Sequence, residues 1–229
     1  MASLRDLLCA EMYQLRHRKS FWICALFALL VELVNGFLHG GDQVETMTLL
    51  LEIIGLLTCA LFAGSFVCTD FVNRTIYHTL TAGKSRRCVW ISKYLAYGAA
   101  CLGLLLINIL AANVSILIFH YDQLAWSDPA WLSVLGYTFC GIVYDMCLVS
   151  LFFLLALQIK ENGLTIAIAV VLTALMIASS ELLWVDRLLP LLTPQLSLQS
   201  IPINNCLLLL LLPCLTALLG TGLFDRCSL

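Results

Sequence analysis

The sequence predicts an all-α polytopic membrane protein with six transmembrane helices, and three observations carry that prediction. Of 229 residues, 62% are hydrophobic and only 11% are charged, with a mean hydropathy of +0.99. A soluble domain carries about 25% charged residues, and a globule of this size has too little interior to hide the apolar surplus. Second, the chain offers six apolar stretches, near Phe21–Leu38, Met47–Cys68, Val89–Phe119, Trp131–Leu157, Gly163–Leu183 and Asn204–Phe224. Each approaches or exceeds the ~20 residues that cross a hydrocarbon core, and their long, Leu-rich, non-alternating character predicts helix rather than strand. Third, all of the 12 Lys and Arg residues except Arg187 fall in segments that six spans place on one side. Basic residues are retained in the cytoplasm, so both termini are expected there.

Residues 1–20 are read as an interfacial amphipathic helix. Leu4, Leu7, Leu8, Met12 and Leu15 recur at helical spacing, with Arg5, Asp6, Gln14 and Arg16 on other faces. It serves either as a positive anchor or as a link to a cytosolic partner. Residues 21–229 form a single six-span domain. No removable signal is expected, because the first apolar run starts late and leads into Gly36-Phe37-Leu38-His39-Gly40 without a small-residue cleavage site. The 11 cysteines include no C-x-x-C pair and read as small apolar fillers, not as disulfides or zinc ligands.

The cytoplasmic segment 69–88 between the second and third spans is the most informative. It is too polar for lipid and too well patterned for a slack loop. Val72, Ile76 and Leu80 form an apolar stripe that predicts a short helix over 73–82. Gly83 suits the position after its end, and Ser85 suits the N-cap of the third span. Arg86 and Arg87 then fall in a first turn, where cations oppose the helix dipole by up to about 1 kcal/mol each. Anionic headgroups or an acidic partner would offset that cost.

Asp70-Phe71-Val72-Asn73-Arg74-Thr75-Ile76, followed by Ala82-Gly83-Lys84-Ser85-Arg86-Arg87 and Lys93, resembles the coupling-helix region of the type-2 permeases of ATP-binding-cassette transporters. Arg74 stands where that family usually has Gly, and Lys84 where it has Val. The layout is similar too: an N-terminal interfacial helix, six spans, both ends inside and a long outside connection before the last span. The resemblance implies a permease subunit of an ATP-driven exporter, with Asp70, Phe71, Asn73, Thr75, Ile76, Leu80, Gly83, Ser85, Arg86 and Arg87 coupling it to a separate ATPase. It also implies two ATPase copies that carry ATP and Mg, a second permease copy or paralogue, and no cofactor on this chain. The location expected is the plasma membrane of a bacterium, with membrane lipids as neighbours and no nucleic acid. The residues themselves support a separate ATPase. Gly83-Lys84-Ser85 imitates the end of a P-loop, but His78 stands where its first Gly belongs.

Enzyme chemistry is not expected. His17, His39, His78 and His120 all lie in or beside connections, and there is no H-E-x-x-H motif. Polar residues in the spans are costly and mark either helix–helix hydrogen bonds or a path. Glu32, Asn35, Glu52, Asn108, Asn113, Asp145 and Glu181 are the candidates for an acidic route taken by an amphipathic or cationic peptide, drug or lipid-like substrate. An ion-coupled secondary carrier using the same carboxylates is the alternative. The outside connection 184–203 holds Pro190, Pro194 and Pro202 among leucines, which predicts a re-entrant or interfacial segment.

Overall fold

The computed structural model describes residues 4–38, 44–73, 75–81, 83–119, 131–180, 213, 215–218 and 220–221; these are almost all helical, with no strand among them. In chain order they form α1 (Leu4–His17), α2 (Lys19–Leu38), α3 (Val44–Ala63), a π-turn (Gly64–Cys68), α4 (Thr69–Val72), α5 (Thr75–Thr81), α6 (Arg86–Phe119), α7 (Trp131–Ile159) and α8 (Asn162–Ser180). Helices therefore occupy the first five predicted stretches. Among the described residues two segments, Ile54–Val72 and Arg86–Ala112, are long and apolar enough to cross a membrane, and Asp145–Ile159 and Asn162–Ala174 are shorter apolar helices. The segment 184–203, most of the sixth stretch and Glu181 lie outside the described residues.

The helices meet through small side chains. Cys59, Ala60 and Ala63 of α3, Ala96, Ala100 and Cys101 of α6, and Ala156 of α7 are fully or almost fully buried. Small side chains let helix backbones approach closely, so contact is supplied through dispersion. Gly64 shows the tightest requirement along α8. A Cβ there would stand 2.5 Å from Asn162 Oδ1 and 2.6 Å from Ile166 Cγ1, so a larger residue would require those two side chains to move.

Aromatic rings fill the larger gaps. Phe62 stacks on Phe66 with centroids 5.2 Å apart, and Phe153 of α7 reaches Tyr97 of α6 at 5.2 Å. Such pairs contribute about 0.5–1.5 kcal/mol beyond their area, and they fix α3, α6 and α7 around one core. The outer surface is apolar as well. Ile23, Leu26, Leu30, Val34 and Phe37 of α2 and Leu102, Leu106, Leu110 and Ile118 of α6 are exposed. Exposed apolar surface of this extent marks contact with a membrane or another protein.

α1 differs from its sequence reading at Leu4 and Met12, both of which are exposed. The side that packs on α6 runs through Leu7, Leu8, Glu11 and Leu15, while Met12 is exposed. Spacings of three and four residues place Glu11 on that face, and an acidic side chain can occupy it because a cation meets it there.

Candidate functional site

That cation belongs to a network of charges beneath the 69–88 segment. Asp70 is the last acidic residue of an otherwise apolar run, and its side chain is only 2% exposed. A carboxylate withdrawn from water loses several kcal/mol of hydration unless it is paired. Here each oxygen takes a different cation: Oδ1 accepts from Arg18, and Oδ2 accepts from Lys93 Nζ at 2.5 Å. Lys93 Nζ also pairs with Glu11 Oε1 at 2.9 Å. Two carboxylates and two cations thus balance in a formally neutral knot.

Four separate pieces of chain enter it: the last turns of α1, the break before α2, the α4 turn and the first third of α6. Phe66 supports both cations. Its carbonyl accepts from Arg18 Nη1 at 3.2 Å, and its ring centroid lies 4.9 Å from the Arg18 guanidinium carbon and 5.8 Å from Lys93 Nζ. The π-turn that carries Phe66 is a rare geometry found often at functional positions.

From Asp70 the chain turns sharply. α4 stops at Val72, the Asn73 N–H donates to Thr69 O at 2.9 Å, and Thr75 Oγ1 donates to the Asp70 carbonyl at 3.1 Å. Helix α5 follows, shorter than the predicted 73–82. Gly83 has φ +79°, a left-handed conformation that costs a residue without Cβ little, and its N–H donates to Leu80 O at 3.0 Å. Ser85 Oγ then accepts the Cys88 N–H at 3.3 Å and caps α6, which places Arg86 and Arg87 in its first turn.

The expected apolar stripe of Val72, Ile76 and Leu80 is corrected by this geometry. Ile76 is 1% exposed and Leu80 packs against the same core, whereas Val72 is 67% exposed. The turn at Asn73 interrupts the helix, so residues on its two sides do not share a face. Phe71 is likewise buried. Asp70, Phe71, Ile76 and Leu80 therefore hold the segment onto the protein itself. Among the described residues the solvent-exposed side includes Val72, Asn73, Thr75, Thr81, Gly83, Ser85, Arg86 and Arg87.

The same segment is fastened on its other flank to the α7–α8 turn. Lys160 ends α7 in a left-handed conformation, φ 56°, with its N–H donating to Ala156 O at 3.1 Å. Its ammonium lies 5.6 Å from the Phe71 ring centroid. Cys68 Sγ contacts Thr165 Oγ1 at 3.2 Å and the Ala156 carbonyl at 3.7 Å. Arg18, Lys93 and Lys160 come from three different segments and gather at one end of the molecule, around residues 66–71.

Of the polar residues expected within spans, Glu32 of α2, Asn108 of α6 and Asp145 of α7 are buried. Asn108 packs against the α3 backbone, since its Nδ2 lies 3.4 Å from where a Gly55 Cβ would stand. The side chains of Asn35, Glu52 and Asn113, and the whole of Glu181, lie outside the described residues. Among the described residues no three His, Cys, Asp or Glu side chains converge to hold a metal ion.

Sequence reasoning picked out Asp70 but missed its partner Arg18 and the Glu11 that shares Lys93 with it, and it gave Lys93 no ionic role. The signals existed. Glu11 continues the Leu4–Leu7–Leu8–Leu15 spacing, and an acidic residue at the end of an apolar run requires a cation. Comparisons with protein-family models and with curated proteins return no match to this chain.

Proposed function

We propose that the chain is the permease subunit of an ATP-driven exporter, with six spans and both termini cytoplasmic, energised by a separate ATPase that bears on the 69–88 segment. One observation carries this reading: the short helix α5, followed by the exposed basic first turn of α6, is tied by the Asp70 knot to α1, α3 and α6. A push on a loose loop dissipates in the loop. A push on α5 reaches helices through an ion pair, a capped helix start and a buried Ile76, so it moves them. The gathering of Arg18, Lys93 and Lys160 at one end agrees with a single basic, cytoplasmic side.

In this reading the buried carboxylates of Glu32 and Asp145 suit an amphipathic or cationic substrate, because they supply negative charge where water is scarce. The same two residues favour a second reading, an ion-coupled carrier. The readings separate in vesicles containing this chain and a co-purified P-loop subunit. A pump moves cationic substrates with ATP and continues when a protonophore collapses the gradient; a carrier does the reverse. Glu32→Gln, nearly equal in volume, is expected to lower transport of cationic substrates with normal accumulation of the chain. Unchanged transport would make Glu32 a packing residue.

Topology has its own test. Reporter fusions at Asp42 and Ser127 are expected to read outside, and fusions at Lys84 and Leu229 inside. An external Lys84 would overturn the orientation and the ATPase docking with it.

A further inference from the structure

We propose that an anionic phospholipid binds at the bend between α1 and α2, its phosphate held by Arg16 and Lys19 and an acyl chain laid along the outer face of α2. The proposal rests on the six-span reading in one respect: α2 must face lipid.

Four basic residues run consecutively through the bend, His17 and Arg18 lying between Arg16 and Lys19. The structure sends them in different directions. Arg18 turns inward to Asp70. The His17 ring lies over Tyr13, centroids 4.3 Å apart, with Nδ1 2.9 Å from the Tyr13 carbonyl. Arg16 and Lys19 remain exposed, and neither forms an ion pair among the described residues. The helix break at Arg18 leaves the Arg16 carbonyl open, and Trp22 Nε1 donates to it at 3.0 Å. That bond holds the bend and sets an exposed indole beneath the two cations.

Below them Ile23, Leu26, Leu30, Val34 and Phe37 follow at spacings of three and four, each more than half exposed. At 1.5 Å per residue the row is about 21 Å long, enough for one acyl chain. Cations at the top, an indole at the junction and a straight apolar row below match the headgroup, glycerol region and tail of a phospholipid in that order. The cations specify an acidic headgroup over a zwitterionic one.

A second copy of the chain suits this face less well. Two copies facing each other across an axis normal to the membrane would set Arg16 and Lys19 against their own counterparts, and like charges repel.

The test is native mass spectrometry of the full chain in mild detergent, titrated with phosphatidylglycerol or phosphatidylcholine of identical acyl chains. The wild type is expected to retain phosphatidylglycerol at about tenfold lower concentration, given the attraction of two basic residues for acidic headgroups. Arg16→Gln with Lys19→Gln should reduce that advantage to the phosphatidylcholine level. Arg5→Gln with Lys84→Gln, which removes equal charge elsewhere, should preserve it. Equal retention of both lipids by the wild type, a preference that survives in the Arg16/Lys19 variant, or loss in the Arg5/Lys84 variant would overturn the site. Oxidative cross-linking of two copies through Leu26→Cys would also overturn it, by showing that the chain covers this face itself. Flotation with vesicles separates the two levels of failure. A chain that does not float overturns the six-span reading as well, whereas one that floats without lipid preference overturns this site alone.

Discussion

Replacing Asp70 by Asn is expected to lower folding stability by about 3 kcal/mol. Removing one member of a buried ion pair typically costs about 3–5 kcal/mol, because the partner stays buried without its counter-charge. The lower end applies, since the Arg18 side chain is 21% exposed and partly screened. Lys93 keeps Glu11 at 2.9 Å, so most of the loss falls on Arg18. The combination of Asp70→Asn with Arg18→Leu should therefore recover part of the stability lost in Asp70→Asn alone, because the remaining Lys93–Glu11 pair is balanced. Thermal unfolding in detergent, followed by circular dichroism, reads both. If the double variant were no more stable than the single one, Arg18 would not be the chief partner.

Ile76→Asp and Val72→Asp are expected to differ sharply although they lie only four residues apart. Ile76 is buried in the core, and an unpaired carboxylate there costs several kcal/mol after relaxation. The variant should accumulate poorly and unfold early. Val72 projects outward, where substitutions usually change stability by no more than about 0.5 kcal/mol. Val72→Asp should fold normally yet weaken ATPase co-purification, because it places a negative charge on the exposed edge. Equal destabilisation by both substitutions would restore the continuous stripe that the periodicity predicts.

That contrast also marks how far the sequence can be read. Apolar length anticipated helices over the first five stretches, because it depends on composition along the chain and not on how segments meet. The local signals at Gly83 and Ser85 were equally readable, since a positive φ and an N-cap depend on immediate neighbours. The stripe was misjudged because periodicity holds only within one unbroken helix, and the turn at Asn73 resets it. The knot around Asp70 was half visible. An acidic residue at the end of an apolar run announces a need for cations, but its partners are 52 and 23 positions away in sequence. Their choice depends on how α1, α3 and α6 pack. Glu11 was hidden for a related reason: on an interfacial helix it reads as a polar-face residue until α6 supplies Lys93.

The central claim is that the open edge of residues 72–87 meets an ATPase. The most direct measurement is photo-cross-linking in intact cells from benzoylphenylalanine placed at Val72, whose side chain projects outward from that edge. The account predicts a covalent adduct with a polypeptide that carries a P-loop and hydrolyses ATP, lost when Arg86 and Arg87 are both changed to Glu. Adducts to lipid alone, with the same yield in that charge-reversed variant, would contradict it and make the segment a membrane-surface anchor.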